Sequence, residues 1–202
     1  MRLIDTHSHL FLEEFSEDFP QVIERARAAG VTHIFMPNID STTIEAMLSA
    51  CSVYKGYCFP MIGLHPTSVN ANYEKELEIV ARELKFSKEY VAIGEIGMDL
   101  YWDKTYLKEQ QIVLDKQVNW ALEYDLPIVI HCRDAFDYIY KVLEPYKKTP
   151  LRGIFHSFTG TAEEATRVLE FSDFFIGING VVTFKKSHLP EILAGIPLEK
   201  IV

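Results

Sequence analysis

The sequence predicts an α/β protein built as a TIM-type barrel of βα units, and three observations predict it. Short β-branched runs alternate with longer amphipathic stretches, the order expected of parallel strands joined by helices and not of hairpins. Acidic or imidazole side chains stand directly after several of those runs, where a barrel gathers its strand ends on one face. The 202 residues, 48% of them hydrophobic, are enough to bury one substantial core, and no linker, repeat or low-complexity segment divides them. A single domain over residues 1–202 is the expectation.

The runs that read as strands are 2–6, 31–36, 57–62, 90–95, 127–130, 151–155 and 174–178. Helix-like segments fill the intervals at 20–30, 41–54, 74–86, 105–124, 134–147, 161–171 and 188–194, several opened by a cap such as Ser41, Asp134 or Thr161. Right-handed crossovers put every helix on the same side of the advancing strands, so the sheet curls toward closure. An eight-fold barrel typically takes about 250 residues. Here residues 199–202 stand where an eighth strand would begin, so a barrel cut short before that strand is expected. A gap between the first and seventh strands would leave backbone unpaired.

Charge narrows the function. Basic residues number 20 and acidic residues 29, a formal charge of −9, so no global positive field draws a polyanion to the surface. A nucleic-acid substrate would need bound cations to supply that charge locally. No run approaches the roughly 18 apolar residues of a membrane span, and no signal-peptide pattern opens the chain. Cys51, Cys58 and Cys132 are odd in number and include no Cys-x-x-Cys pair, so they read as small buried residues in a reducing compartment. A cytoplasmic protein is expected.

The first strand ends in Asp5-Thr6-His7-Ser8-His9. Residues two apart in extended chain point to one side, so His7 and His9 can offer two imidazoles to one cation. Glu95, His131 and His156 each follow an apolar run and fall at the same place in their own units. Groups of this kind gathered at one barrel mouth need an ion to compensate their shared desolvation. Five protein ligands plus water exceed the four-coordinate shell of one catalytic zinc, which suggests two divalent cations. Glu95 is the expected bridge, since a carboxylate can span cations about 3.5–4 Å apart. His7 and His9 would then hold one ion and His131 and His156 the other, with water between them as the nucleophile. Imidazoles suit zinc or nickel, whereas a carboxylate bridge and a phosphate substrate suit magnesium or manganese.

Further residues fit around this centre. His65, in Gly63-Leu64-His65-Pro66, leaves the third strand at the same mouth and is expected to meet substrate, so Glu95 and His65 are the candidate catalytic groups. Arg133, two residues past His131, could grip a phosphate oxygen with its planar fork, or could cap a helix. Asp99 could bind substrate, orient a ligand histidine or cap its loop. Tyr101, Trp102 and Phe158 read first as loop packing, with a stacking surface for bases as the alternative.

Together the segments Asp5-Thr6-His7-Ser8-His9-Leu10, Gly63-Leu64-His65-Pro66, Gly94-Glu95-Ile96-Gly97-Met98-Asp99, Ile130-His131-Cys132-Arg133 and Phe155-His156-Ser157-Phe158-Thr159-Gly160 carry a resemblance that covers the entire chain. The sequence resembles the TatD family of metal-dependent deoxyribonucleases, within the amidohydrolase superfamily. The resemblance implies a two-metal centre at His7, His9, Glu95, His131 and His156, with His65 and Arg133 near the substrate phosphate. It also implies hydrolysis of phosphodiester bonds, commonly as an exonuclease dependent on magnesium or another divalent ion; the expectation here is a 3'-5' exonuclease acting on DNA, a monomer with no membrane partner. Family members carry a Glu-Thr-Asp-x-Pro-Tyr-like segment on strand eight whose aspartate completes the site, and the sequence stops at Val202 before such a segment. Two alternatives use the same ligands: a zinc amidohydrolase or lactonase acting on a small molecule, and a non-catalytic barrel that only binds metal. Many amidohydrolases bridge their metals through a carboxylated lysine on strand four, where this sequence has Glu95.

Overall fold

The computed structural model describes residues 2–202. Its strands follow the expected order: β1 (Leu3–Asp5), β2 (Val31–Pro37), β3 (Cys58–Met61), β4 (Ile93–Asp99), β5 (Ile128–Arg133), β6 (Gly153–Phe155) and β7 (Phe174–Ile176). The helices between and after them are α1 (Phe19–Ala28), α2 (Ile44–Val53), α3 (Tyr73–Phe86), α4 (Leu107–Glu123), α5 (Phe136–Leu143), α6 (Ala162–Leu169) and α7 (Leu189–Leu193). All strand pairs are parallel, β1-β2-β3 in one ladder and β4-β5-β6-β7 in the other. This is the α/β barrel architecture the alternation of patterns predicts, one strand short of eight among the described residues.

Backbone bonds join the two ladders. Ile62 and Ile93 form a bridge, the Ile62 N–H donates to the Ala92 carbonyl at 3.1 Å, and the Gly94 N–H donates to the Ile62 carbonyl at 2.9 Å. At the other side of the barrel, Ile201 bridges to Ile176 in parallel, and the Ile178 N–H donates to the Val202 carbonyl at 2.8 Å. Residues 201–202 therefore lie where the eighth strand was expected to start. The free edge of β1 leaves Ile4 56% exposed, which is where an open gap was expected.

The core explains why the strands read as apolar runs. Ile34, Met36, Ile62, Ile93, Ile96, Met98, Ile128, Ile130, Phe155, Phe174 and Ile176 all belong to one buried cluster, as strands covered on both faces require. Thr161 caps α6 as expected, with a reciprocal capping box: its side chain accepts from the Glu164 N–H and the Glu164 carboxylate accepts from the Thr161 N–H. Two other caps differ. Thr43 precedes α2, and Ser41 instead hydrogen-bonds the Glu76 carboxylate on α3. Ala135 precedes α5, because Asp134 takes a positive φ of 52° in the turn out of β5.

Strand four is displaced from its expected place at 90–95 and lies at Ile93–Asp99. Its glycines argue against a strand locally, yet the ladder with β5 runs on through Gly97 and Met98 to Asp99. Glu95 is accordingly the third residue of β4 and lies inside the barrel mouth, at an irregularity where the register with β5 shifts. Gly97 permits the close approach of the two strands. It has φ +139°, and a Cβ there would stand 2.0 Å from the His131 carbonyl oxygen. Gly97→Ala is therefore expected to lower stability by about 2 kcal/mol or more, measured by urea unfolding. A variant as stable as the parent would contradict this account of the β4–β5 approach.

Candidate metal centre

The turn after β1 is built by Asp5. Its Oδ1 accepts from the His7 backbone N–H at 3.0 Å and its Oδ2 from the Ser8 hydroxyl at 2.7 Å, which folds the chain so that His7 and His9 turn inward together. The Nε2 atoms of His7 and His9 lie 3.2 Å apart and both face Glu95 Oε2, at 3.0 and 3.4 Å. His65 Nε2 approaches the same oxygen at 3.6 Å, while His131 Nδ1 faces the other oxygen, Oε1, at 3.0 Å. His131 is held from behind as well, its Nε2 lying 3.0 Å from Asp99 Oδ2. Asp99 in turn accepts the Tyr101 N–H on Oδ1 at 3.0 Å.

The structure thus brings His7, His9, His65 and His131 around one buried carboxylate, in two groups whose ligand atoms lie within 4.8 Å of one another: His7, His9 and Glu95, and His65, Glu95 and His131. His156 stands in neither group. Its ring stacks flat on His7 with centroids 3.4 Å apart. Arg133 does not reach the carboxylate. Its guanidinium lies 3.8 Å over the Tyr101 ring and 5.3 Å from that of Trp102. Of the three aromatics, Phe158 is buried, which fits loop packing, whereas Tyr101 and Trp102 are open to solvent.

The electrostatics are those of a centre built to hold a cation. Burial pushes the Glu95 carboxyl up, but hydrogen bonds from His131, His65, His7 and His9 together override it and hold the group well below the usual carboxylate range. Burial also lowers His131, yet the Glu95 and Asp99 carboxylates on its two nitrogens outweigh that and raise it. His156, desolvated and beside His7, is pushed down to about 3, so its imidazole stays neutral and keeps a lone pair to give. Burial drives the Cys132 thiol up to about 12, which leaves it a small buried residue and no nucleophile.

The donor set fits divalent metal. Three imidazole nitrogens converge on the single oxygen Glu95 Oε2, more donors than its lone pairs can serve. The two closest of these nitrogens, His7 Nε2 and His9 Nε2, lie 3.2 Å from each other. Lone pairs turned toward a cation, with one carboxylate shared between two groups, resolve the conflict.

Several residues that position this centre carry no ligand-like signal in the sequence. Asn38, fully buried at the end of β2, donates through Nδ2 to the Gly63 carbonyl at 2.9 Å, and its backbone carbonyl accepts the Glu95 N–H at 3.2 Å. Gln117 on α4 clamps Leu64, accepting its N–H at 2.7 Å and donating to its carbonyl at 3.2 Å, which fixes the backbone beside His65. Gln110 clamps Asp99 in the same manner, at 2.9 and 3.2 Å. The two glutamines are seven apart on one helix face among Val113, Leu114 and Val118, and polar residues on an apolar stripe were the signal available.

Comparison with known proteins finds relatives over nearly the whole chain. The family model described as "TatD related DNase" matches residues 4–202. The metal-dependent hydrolase YabD of Bacillus subtilis (strain 168) is 35% identical over 201 residues, covering 99% of this chain and 78% of that protein. The 3'-5' ssDNA/RNA exonuclease TatD of Pantoea sp. (strain At-9b) is 32% identical over 202 residues, covering 99% of this chain and 77% of the relative. The crystal structure of YjjV, a TatD homolog from Escherichia coli K12, superposes with a TM-score of 0.91 at 30% identity, over all of this chain and 77% of that one. With a family match over nearly its whole length and His and Glu groups able to bind metal, the chain belongs to the TatD-related DNase family of metal-dependent hydrolases.

Proposed function

We propose that the chain hydrolyses phosphodiester bonds in DNA from the 3' end, with Glu95 as the carboxylate shared by two divalent cations. The observation that carries this reading is the buried Glu95, with His7 and His9 on one oxygen and His131 on the other. Two cations bound there would neutralise phosphate charge and acidify a shared water. A relative at 32% identity is an exonuclease of single-stranded DNA and RNA, which favours phosphate over carbonyl chemistry.

The side chains divide the work. His7 and His9 would hold the first ion and His131 Nδ1 the second, while His156, neutral and stacked on His7, would offer a further lone pair to the centre. His65 faces the shared oxygen from the turn after β3 and is placed to meet the reacting phosphate. Asp99 acts through His131: by accepting from Nε2 it fixes the tautomer and leaves Nδ1 free to bind metal. That makes Asp99 a positioning residue before it is a substrate contact. Arg133, in no ion pair with another described residue, offers its donors to a phosphate oxygen.

The test is shortening of a 5'-labelled single-stranded oligonucleotide with magnesium, manganese or zinc, using Glu95→Ala as the blank. A ladder retreating from the 3' end that is absent in the variant is expected. Hydrolysis of a lactone or amide without any effect on DNA would replace this reading with the small-molecule one. Metal analysis of Glu95→Ala should show loss of ions from one or both sites, and full occupancy would contradict the shared carboxylate. For Asp99→Asn, metal affinity measured by calorimetry should fall about 10–100-fold. Unchanged affinity would show that Asp99 does not act through His131.

A further inference from the structure

Two aromatic rings that follow β4 beside the metal centre are open to solvent. Tyr101 is 52% and Trp102 73% exposed, whereas Phe158, from the same set of mouth aromatics, is 5% exposed. Tyr101 and Trp102 are not loose loop residues. Their rings meet edge to face with centroids 4.7 Å apart and planes at 90°, and the Arg133 guanidinium lies against both. Arg133 is thereby held over the rings by cation–π contact, and its guanidinium is in no ion pair among the described residues.

The platform is wired to the centre by short contacts. The Tyr101 N–H donates to Asp99, Asp99 pairs with His131, and His131 faces Glu95. Beneath Trp102 lies a cavity of about 240 Å³, walled by Trp102, Tyr106, Pro66 and Val69 and reaching Asp99. It lies a little below the roughly 300–1,000 Å³ of drug-sized clefts.

Cation and aromatic face together match one ligand class. A protein of charge −9 cannot gather a polyanion by its overall field, so recognition must be local. A guanidinium fork suits a phosphate, and an exposed ring face suits a base that is not already paired and stacked. We infer that Tyr101, Trp102 and Arg133 form a nucleotide subsite that holds one residue of a single-stranded polynucleotide next to the metal centre, the base stacked on the aromatics and its phosphate on the guanidinium. The inference rests on the phosphodiesterase reading above and adds the two side chains, Tyr101 and Trp102, that would read an unpaired base.

The experiment compares an oligothymidylate with an abasic oligomer of equal length and charge. Binding is followed by fluorescence anisotropy in calcium, and hydrolysis of both oligomers is followed in manganese. The intact chain should bind the oligothymidylate about tenfold or more tighter than the abasic strand. Trp102→Ala should erase that preference, Trp102→Phe should keep most of it, and Arg133→Ala should weaken both oligomers. Equal affinity for the two oligomers, or a preference untouched by Trp102→Ala, overturns the subsite even if hydrolysis proceeds. Hydrolysis of neither oligomer overturns the phosphodiesterase reading instead, whatever the binding shows.

Discussion

A carboxylate buried inside the barrel mouth is the constraint on which the site depends. Glu95 is 3% exposed, and an isolated charge at that depth would be prohibitive. The fold answers by aiming four imidazoles from three chain segments at its two oxygens. Those segments are the turn after β1, the turn after β3 and strand β5, and β4 carries the carboxylate, so the ionisation of one side chain depends on the assembly of half the barrel. Protein donors alone leave the arrangement unsatisfied, with three nitrogens crowded on one oxygen. Divalent cations are the partners that turn this crowding into coordination.

Around that centre the supporting residues are neutral and polar. Asn38, Gln110 and Gln117 are almost wholly buried and spend their amides on backbone groups of the strand ends. Each ties a functional segment to another element: Asn38 links the β2 end to β3 and β4, and α4 holds both the His65 turn and Asp99. A buried amide that satisfies two backbone groups adds no charge to a site already dense with it. Losing one would leave those backbone groups unpaired in the interior, a penalty of about 1–3 kcal/mol each.

Much of this was legible in the sequence because strand ends and ligands share one grammar. The alternation of apolar runs with amphipathic segments located every strand and helix, since burial on both faces makes parallel strands apolar throughout. His7, His9 and His131 were visible because each follows such a run. The depth of Glu95 was not, because Gly94 and Gly97 break the strand signal while serving the close β4–β5 approach. Nor could spacing show that His65 stands within reach of the shared carboxylate while His156 lies flat on His7, since that depends on how the loops fold back. The same limit applied to Tyr101, Trp102 and Phe158, alike in sequence and divided only by burial.

The central claim is that one carboxylate spans two metal ions, and electron paramagnetic resonance of the chain loaded with manganese tests it most directly. Two manganese ions sharing Glu95 at about 3.5–4 Å would be spin-coupled and give the multiline spectrum of an interacting pair. The account predicts that spectrum at saturation. A simple six-line spectrum at full loading, the mark of isolated ions, would contradict it.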